Sequence, residues 1–294
     1  MNDTDITRIF MEDIEPGLSN EKTSNNPVTV FLGGQPGAGK TKGQMLTLRL
    51  HPEERLLPII GDDYRQYHPD YRRLVKDDPL AMPDVTAYAS GRWTGMVVAW
   101  ADAHQVSCII EGTWRNRNTV LNEARHAHLI GRATHAVLVA VPPAISRLGI
   151  LERYYLDRER GLEARWTPPQ AHEDTVEALT HNVPFIATSG VMDRLTVIDR
   201  AGNTLYDGTD PNQFVESWHH VFTRPPSRQE RADMAERVSK LKQLAQKHTP
   251  SNSQVLQLFD TLTVQDSSTT STGGVWVQPH MRNGRPVRGY WRSH

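Results

Sequence analysis

Eight consecutive residues limit what this chain can fold into: Gly34-Gln35-Pro36-Gly37-Ala38-Gly39-Lys40-Thr41 fit G-x-x-x-x-G-K-[ST] without a gap. The chemistry of a phosphate loop asks for each part. Glycines let backbone N–H groups approach phosphate oxygens without a Cβ clash. The helix that follows turns its positive N-terminal end toward the anion. Lys40 can reach the β- and γ-phosphates, and the Thr41 hydroxyl can ligate Mg²⁺. The flanks match. Val28-Thr29-Val30-Phe31-Leu32 is a short β-rich run before the loop, and Gly39 to Leu50 has a helical pattern after it. The segment implies nucleoside triphosphate binding, without separating a kinase from an NTPase.

The rest of the middle section repeats this grammar. Leu56–Ile60, Val106–Ile110, His135–Val141 and Leu195–Ile198 are apolar runs. Helical patterns over 93–104, 116–130, 142–159 and 168–187 separate them. Continuous apolar strands alternating with helices indicate parallel strands covered on both faces. The expected fold is α/β: a phosphate-loop kinase-like parallel sheet flanked by helices, with a helical and partly disordered C-terminal extension. Asp199-Arg200-Ala201-Gly202-Asn203 before Thr204-Leu205-Tyr206 suggests a hairpin. The expected organisation is an N-terminal helical segment over 1–26, with Ile6, Ile9, Phe10 and Ile14 at helical spacing, and a kinase-like core over 27–210. A helical region over 211–248, a Ser/Thr/Gln/Gly-rich linker over 249–274 and a basic aromatic tail over 275–294 follow.

Composition removes several function classes. Lys plus Arg is 33 and Asp plus Glu is 34, so no global basic field draws the chain to nucleic acid or a membrane. The single cysteine, Cys108, rules out an intrachain disulfide and a multi-cysteine zinc site. It sits in an apolar run and reads as a core residue. No run approaches a membrane span, and the first residues lack a signal-peptide pattern. The expectation is a soluble cytoplasmic protein.

Two strand ends carry carboxylates. In an open parallel sheet, ligands bind at the carboxyl ends of the strands. Ile59-Ile60-Gly61-Asp62-Asp63-Tyr64-Arg65 therefore points two acids toward the phosphate loop. Either Asp62 or Asp63 could take the proton of an attacking hydroxyl, or the pair could form a solvated turn. Arg65 could hold a substrate phosphate or pair with a neighbouring acid. In Ile109-Ile110-Glu111-Gly112-Thr113, Glu111 could meet Mg²⁺ through water, meet a substrate hydroxyl, or cap the next helix, and Thr113 could donate to substrate. Phosphoryl transfer needs positive side chains on the transferring group. Arg153 and Arg165 are candidates, with surface exposure as the alternative.

The ordered set GGQPGAGKT, IIGDDYRQYHPDY, IIEGT, LERY and EARWTPPQAHE resembles the zeta toxin family over about residues 27–200. These are kinases of toxin–antitoxin systems that act on UDP-N-acetylglucosamine. The resemblance implies ATP and Mg²⁺ as cosubstrates, transfer to the 3′-hydroxyl of the aminosugar, and an antitoxin partner. It implies Lys40 and Thr41 as the phosphate-loop pair and Asp62 as the base. Arg65 takes the basic position of the same turn. Glu111 and Thr113 fall in the E-G-T motif, and Arg153 and Arg165 on the phosphates. Two positions depart from the family pattern. Gly61 stands where Asn is frequent, and Gly95 where sugar-nucleotide kinases carry a substrate-contacting glutamate. The alternatives are the same chemistry on another acceptor (a nicotinamide nucleotide, an antibiotic, another nucleotide sugar) or a nucleic-acid-associated NTPase or polynucleotide kinase. The last would use Arg282, Arg285, Arg288 and Arg292 with Trp276, Tyr290 and Trp291. A hairpin around Asn283-Gly284 is the favoured reading of that tail, so nucleic acid is not expected as a partner.

Overall fold

The computed structural model describes residues 1–249, then Val255, Leu258, Phe259 and Leu262, and four short strands in the last twenty residues. Its centre is a six-stranded sheet in the order β2-β3-β1-β4-β5-β6. The strands are β1 (Val28–Gly33), β2 (Leu57–Ile60), β3 (Cys108–Glu111), β4 (Ala133–Ala140), β5 (Arg194–Asp199) and β6 (Thr204–Gly208). The first five run parallel, and β6 returns antiparallel on β5 as the hairpin signal required. The helices are α1 (Asp3–Ile9), α2 (Lys40–Leu50), α3 (Gly61–Tyr64), α4 (Tyr71–Asp77), α5 (Met82–Ala103), α6 (Arg117–Leu129), α7 (Pro143–Glu159), α8 (Pro169–Ala187), α9 (Pro211–Thr223) and α10 (Arg228–His248).

The continuous apolar runs have the expected cause. Neighbouring residues of one strand enter different layers. Phe31, Ala136, Leu138 and Leu195 pack with Leu121, Trp218 and their neighbours from α6, α8 and α9. Val30, Leu32, Val137, Val139 and Ile198 fill the opposite layer, with Leu46 of α2 packed against it. Strands buried on both faces cannot alternate apolar with polar. Cys108 is fully buried, and burial pushes its thiol up to about 11. That fits a core residue and not a nucleophile.

The core extends beyond the limits set for it at 27 and 210. Ile6, Ile9, Phe10 and Ile14 pack against Trp93 and Val97 of α5, and the Trp93 indole N–H donates to the Ile6 carbonyl at 2.9 Å. Past 210, Phe214, Val215, Trp218 and Phe222 of α9 complete the layer under β4 and β5. Helix α10 uses Met234, Val238, Leu241 and Ala245 against Leu148, Leu151, Tyr154 and Tyr155 of α7. The linker expected from 249 starts as packed chain, because Val255, Leu258 and Phe259 are apolar and join that cluster. Its Ser/Thr/Gly-rich remainder, and the expected disorder, lie outside the described residues.

In the tail, β7 (Val275–Val277) pairs antiparallel with β10 (Tyr290–Arg292), and β8 (His280–Arg282) with β9 (Arg285–Val287) on either side of residues 283–284. Among the described residues no helix is long and apolar enough to cross a membrane.

Candidate active site

Register brings the motifs together. Leu32 and Ile60 both stand level with Glu111 across the parallel pairs. The phosphate loop, the Gly61-Asp62-Asp63 turn and the Glu111-Gly112-Thr113 turn therefore leave the sheet at one height, on its carboxyl edge. Helix α2 starts at Lys40, directly after Gly39 in the left-handed conformation (φ 95°).

Lys40 folds over its own loop. Its Nζ donates to the Gly34 carbonyl at 3.0 Å and to the Gln35 carbonyl at 3.4 Å, and lies 3.9 Å from Glu111 Oε1. Burial lowers the Lys40 pKa; Glu111 and Asp62 oppose the shift, and Arg153 adds to it. These four charged groups thus share one electrostatic neighbourhood. Gln44 of α2 holds the other Glu111 oxygen at 2.6 Å. Helix α6 is capped by Asn116, whose side chain accepts from the Asn118 and Thr119 amides, so Glu111 is not its cap. Thr41 is exposed on the first turn of α2.

The two aspartates take different arginines. Arg65 Nε donates to Asp62 at 2.7 Å, and Arg165 Nη1 donates to Asp63 at 3.0 Å. Burial alone would raise the Asp62 carboxyl, but Arg65, Arg153 and Arg165 together hold it below its ordinary value. Arg65 was expected either on the substrate or paired with a neighbouring acid. Here its Nη1 is committed to the Pro83 carbonyl and the Thr86 hydroxyl, both at 2.6 Å, and it serves to hold Asp62. Arg153 reaches from α7 to the Thr167 hydroxyl at 2.8 Å. Arg153 and Arg165 thus face Asp62 electrostatically from α7 and from the loop before α8.

Thr113 leads into a strained turn. Trp114 is buried with φ 56°, a left-handed conformation that bulky residues rarely adopt. Asn182 of α8 pins it, donating to the Trp114 carbonyl at 2.9 Å and the Arg115 carbonyl at 2.8 Å. Nothing in the sequence pattern pointed to Asn182, which lies 68 residues away from Trp114.

Among the described residues no three or more His, Cys, Asp or Glu gather as a metal cage.

A family model described as Zeta toxin matches residues 16–210. The chain belongs to the zeta toxin family. Toxin zeta of Streptococcus pyogenes is 28% identical over 259 residues, which span 85% of this chain and 88% of that protein. Toxin PezT of Streptococcus pneumoniae serotype 4 is 25% identical over 71% of this chain and 82% of its own length. A solved structure from the PezAT chromosomal toxin–antitoxin system of Streptococcus pneumoniae matches with a TM-score of 0.69 at 21% identity, covering 83% of this chain and 98% of that one. At that identity the likeness speaks for the fold. The zeta toxin match starts at residue 16 and ends at 210, so α1, α9 and α10 lie outside it.

Proposed function

We propose that this zeta toxin family member is an ATP-dependent kinase that transfers the γ-phosphoryl group to the 3′-hydroxyl of UDP-N-acetylglucosamine. The observation that carries the reading is the shared neighbourhood of Lys40, Glu111, Asp62 and Arg153 at one sheet edge. Asp62 accepts the hydroxyl proton as the acceptor oxygen bonds to the γ-phosphorus. The bond from that phosphorus to the bridging oxygen breaks, and ADP leaves. Lys40, Arg153 and Arg165 meet charge on the transferring group. Bound Mg²⁺ would neutralise phosphate charge, with Thr41 among its ligands. In this reading Glu111 and Thr113, on the turn after β3, contact the acceptor.

Electrostatics favours Asp62 as base. A carboxylate already ionised at neutral pH is ready to accept a proton, although its low basicity limits the driving force. A second reading keeps the chemistry and changes the acceptor. Gly95 lies on the exposed side of α5, and a Cβ there would meet nothing within 4 Å. That open position leaves room for a different nucleotide or sugar. The toxin relatives, and the PezAT toxin–antitoxin system by its name, support an antitoxin as protein partner.

The deciding experiment is mass spectrometry of the protein with Mg-ATP and a metabolite extract containing UDP-N-acetylglucosamine. Lys40→Ala and Asp62→Asn run beside it. One added phosphoryl group on that sugar nucleotide, absent with both variants, is the expected result. Phosphorylation of a different metabolite would replace the acceptor. Consumption of ATP with no phosphorylated product would overturn the kinase reading in favour of an NTPase.

A further inference from the structure

Behind the phosphate loop lies a chain of polar side chains, buried from Gln35 to His172, that the phosphoryl chemistry does not use. Gln35, the second loop residue, is fully buried. Its Nε2 donates to the Val141 carbonyl at 2.9 Å and to Ser146 Oγ at 3.3 Å. Ser146 Oγ lies 2.8 Å from His172 Nε2, and His172 Nδ1 lies 2.9 Å from Glu173 Oε1. Arg147 closes the far end on Glu173 with two bonds of 2.6 Å.

Serine, histidine and carboxylate in this order have the connectivity of a hydrolase triad. Ser146 and His172 have no exposed surface, so no substrate reaches them. The hydroxyl faces the loop instead. Ser146 also touches the loop through its backbone. A Cβ on Gly37, which has φ 77°, would land on the Ser146 carbonyl oxygen, so only glycine allows this approach. One residue of α7 therefore supports the loop at Gln35 and at Gly37.

The proton pattern has a direction. Glu173 is held ionised, down to about 2, against burial by Arg147 and His172, so it can only accept. His172 Nδ1 then carries a hydrogen. Burial lowers the His172 pKa despite Glu173, which keeps the ring neutral and leaves Nε2 an acceptor. The Ser146 hydrogen has two acceptors in reach, Pro143 O at 2.9 Å and His172 Nε2 at 2.8 Å. Turned to Nε2, it leaves an oxygen lone pair for the Gln35 amide. The chain then runs Gln35 to Ser146 to His172 to Glu173, with each member donating onward.

We propose that His172 is a positioning residue for the phosphate loop, setting its nucleotide affinity through Ser146 and Gln35. The proposal rests on the reading of that loop as a nucleotide site. Loss of the Nε2 acceptor leaves the Ser146 hydroxyl only the Pro143 carbonyl; the hydroxyl turns, its lone pairs move off the Gln35 amide, and Gln35 keeps the Val141 carbonyl alone. The backbone amides that would meet phosphate lose their fixed geometry.

The test is binding of a fluorescent ATP analogue with Mg²⁺ to the full chain. His172→Gln places an amide near the Nε2 position and can still accept from Ser146. His172→Asn mimics Nδ1, keeps Glu173 and abandons Ser146. The expected result is a Kd raised roughly tenfold in H172N, equal to about 1.4 kcal/mol, and within about twofold of wild type in H172Q. Ser146→Ala should follow H172N. Equal effects in H172N and H172Q, or none in either, would overturn the proposal. No binding by wild type would instead overturn the nucleotide-site reading, and this inference with it. The unmodified protein gives a check free of any folding question. The low-field Nδ1–H resonance of His172 should shift when Mg-ATP is added, and an unmoved resonance contradicts the coupling.

Discussion

Arg165 donates to Asp63 at 3.0 Å across 102 residues of chain, and so leaves the neighbouring Asp62 to Arg65. Adjacent carboxylates thereby acquire different jobs. Asp62, 48% exposed as a side chain, pairs one oxygen with Arg65, while Asp63 holds Arg165; in the proposed reaction the first is the base and the second restrains a phosphate-facing arginine. Asp62→Asn should lower kcat by roughly 10²–10⁴, the range for loss of a general base. Asp63→Asn should cost far less and act mainly through Arg165. Steady-state kinetics on both variants checks the split. Equal losses would mean that the two carboxylates are not differentiated.

The pH dependence of the reaction should report Arg65. With Asp62 held below its ordinary value, the wild-type rate should stay flat from neutrality through the usual aspartate range and fall only on the acid side of it. Arg65→Met removes the strongest opposition to burial. The folded-state pKa of Asp62 then rises, the base becomes protonated at a higher pH, and the acid limb moves upward. A pH–rate profile with an unchanged acid limb would show that Arg65 does not tune Asp62.

The sheet was legible because its inner strands β1, β4 and β5 are buried on both faces, and because β1, β2, β3 and β5 run out into glycine or acid. The strand ends alone offered Asp62 or Asp63, and Glu111, at the carboxyl edge; only the family resemblance separated the two aspartates. Helix α5 was legible only from Trp93 onward, although it starts at Met82. Its first half carries Gly91 and two alanines, Ala87 and Ala89, and shows no strong apolar period. The pairing of Arg65 with a neighbouring acid was one of its two sequence readings, but its carbonyl partner, Pro83, is 18 residues away and leaves no mark on local pattern. Asn182 and His172 were missed for the same reason. Each acts across more than 20 residues, and a lone polar residue inside a helix looks like a surface position.

The cations should separate by kinetic signature. Lys40 touches the loop carbonyls and would touch the β- and γ-phosphates, so Lys40→Ala should weaken nucleotide binding and reduce turnover together. Arg153 stands farther along α7, tied to Thr167, and should act on the transferring group. Arg153→Ala should lower kcat by roughly 10²–10³ with little change in nucleotide Kd. Binding of an ATP analogue beside single-turnover rates distinguishes these outcomes. A large Kd change in Arg153→Ala would move that arginine to the ground-state nucleotide site.

Acid should loosen the protein at a histidine pair far from the chemistry. His51 ends α2 and its Nε2 lies 2.8 Å from His135 Nδ1, while His135 Nε2 meets Thr196 at 2.7 Å. Burial drives His135 down to about 3, helped by His51 and Arg194, and burial also lowers His51. The unfolded chain binds protons at these rings near pH 6.5, and the folded chain does not. For His135 stability therefore falls as pH drops from about 6.5 toward 3, by at most about 1.4 kcal/mol per pH unit, and the lowered His51 adds in the same direction. His135→Gln should flatten that slope, whatever it does to stability at pH 8. Thermal melts from pH 8 to 4 read both lines, and parallel slopes would remove the pair as the source.

The last prediction concerns the turn that presents Thr113. Trp114 is held at φ 56° in a buried site, and such a conformation persists only where the surroundings over-determine it. Asn182 supplies that constraint with two amide bonds to successive carbonyls. Asn182→Ala leaves both carbonyls short of a donor, at a cost of about 1–3 kcal/mol for a buried group. The strain at Trp114 then relaxes, and the Glu111-Gly112-Thr113 turn loses its anchor. Acceptor KM should rise several-fold while nucleotide Kd stays near wild type, because the phosphate loop is held separately through Ser146. Asn182→Asp is the sharper variant. Its carboxylate faces two carbonyl oxygens and repels both, so its acceptor KM should exceed that of the alanine variant. An unchanged acceptor KM in both would make the clamp a matter of stability alone.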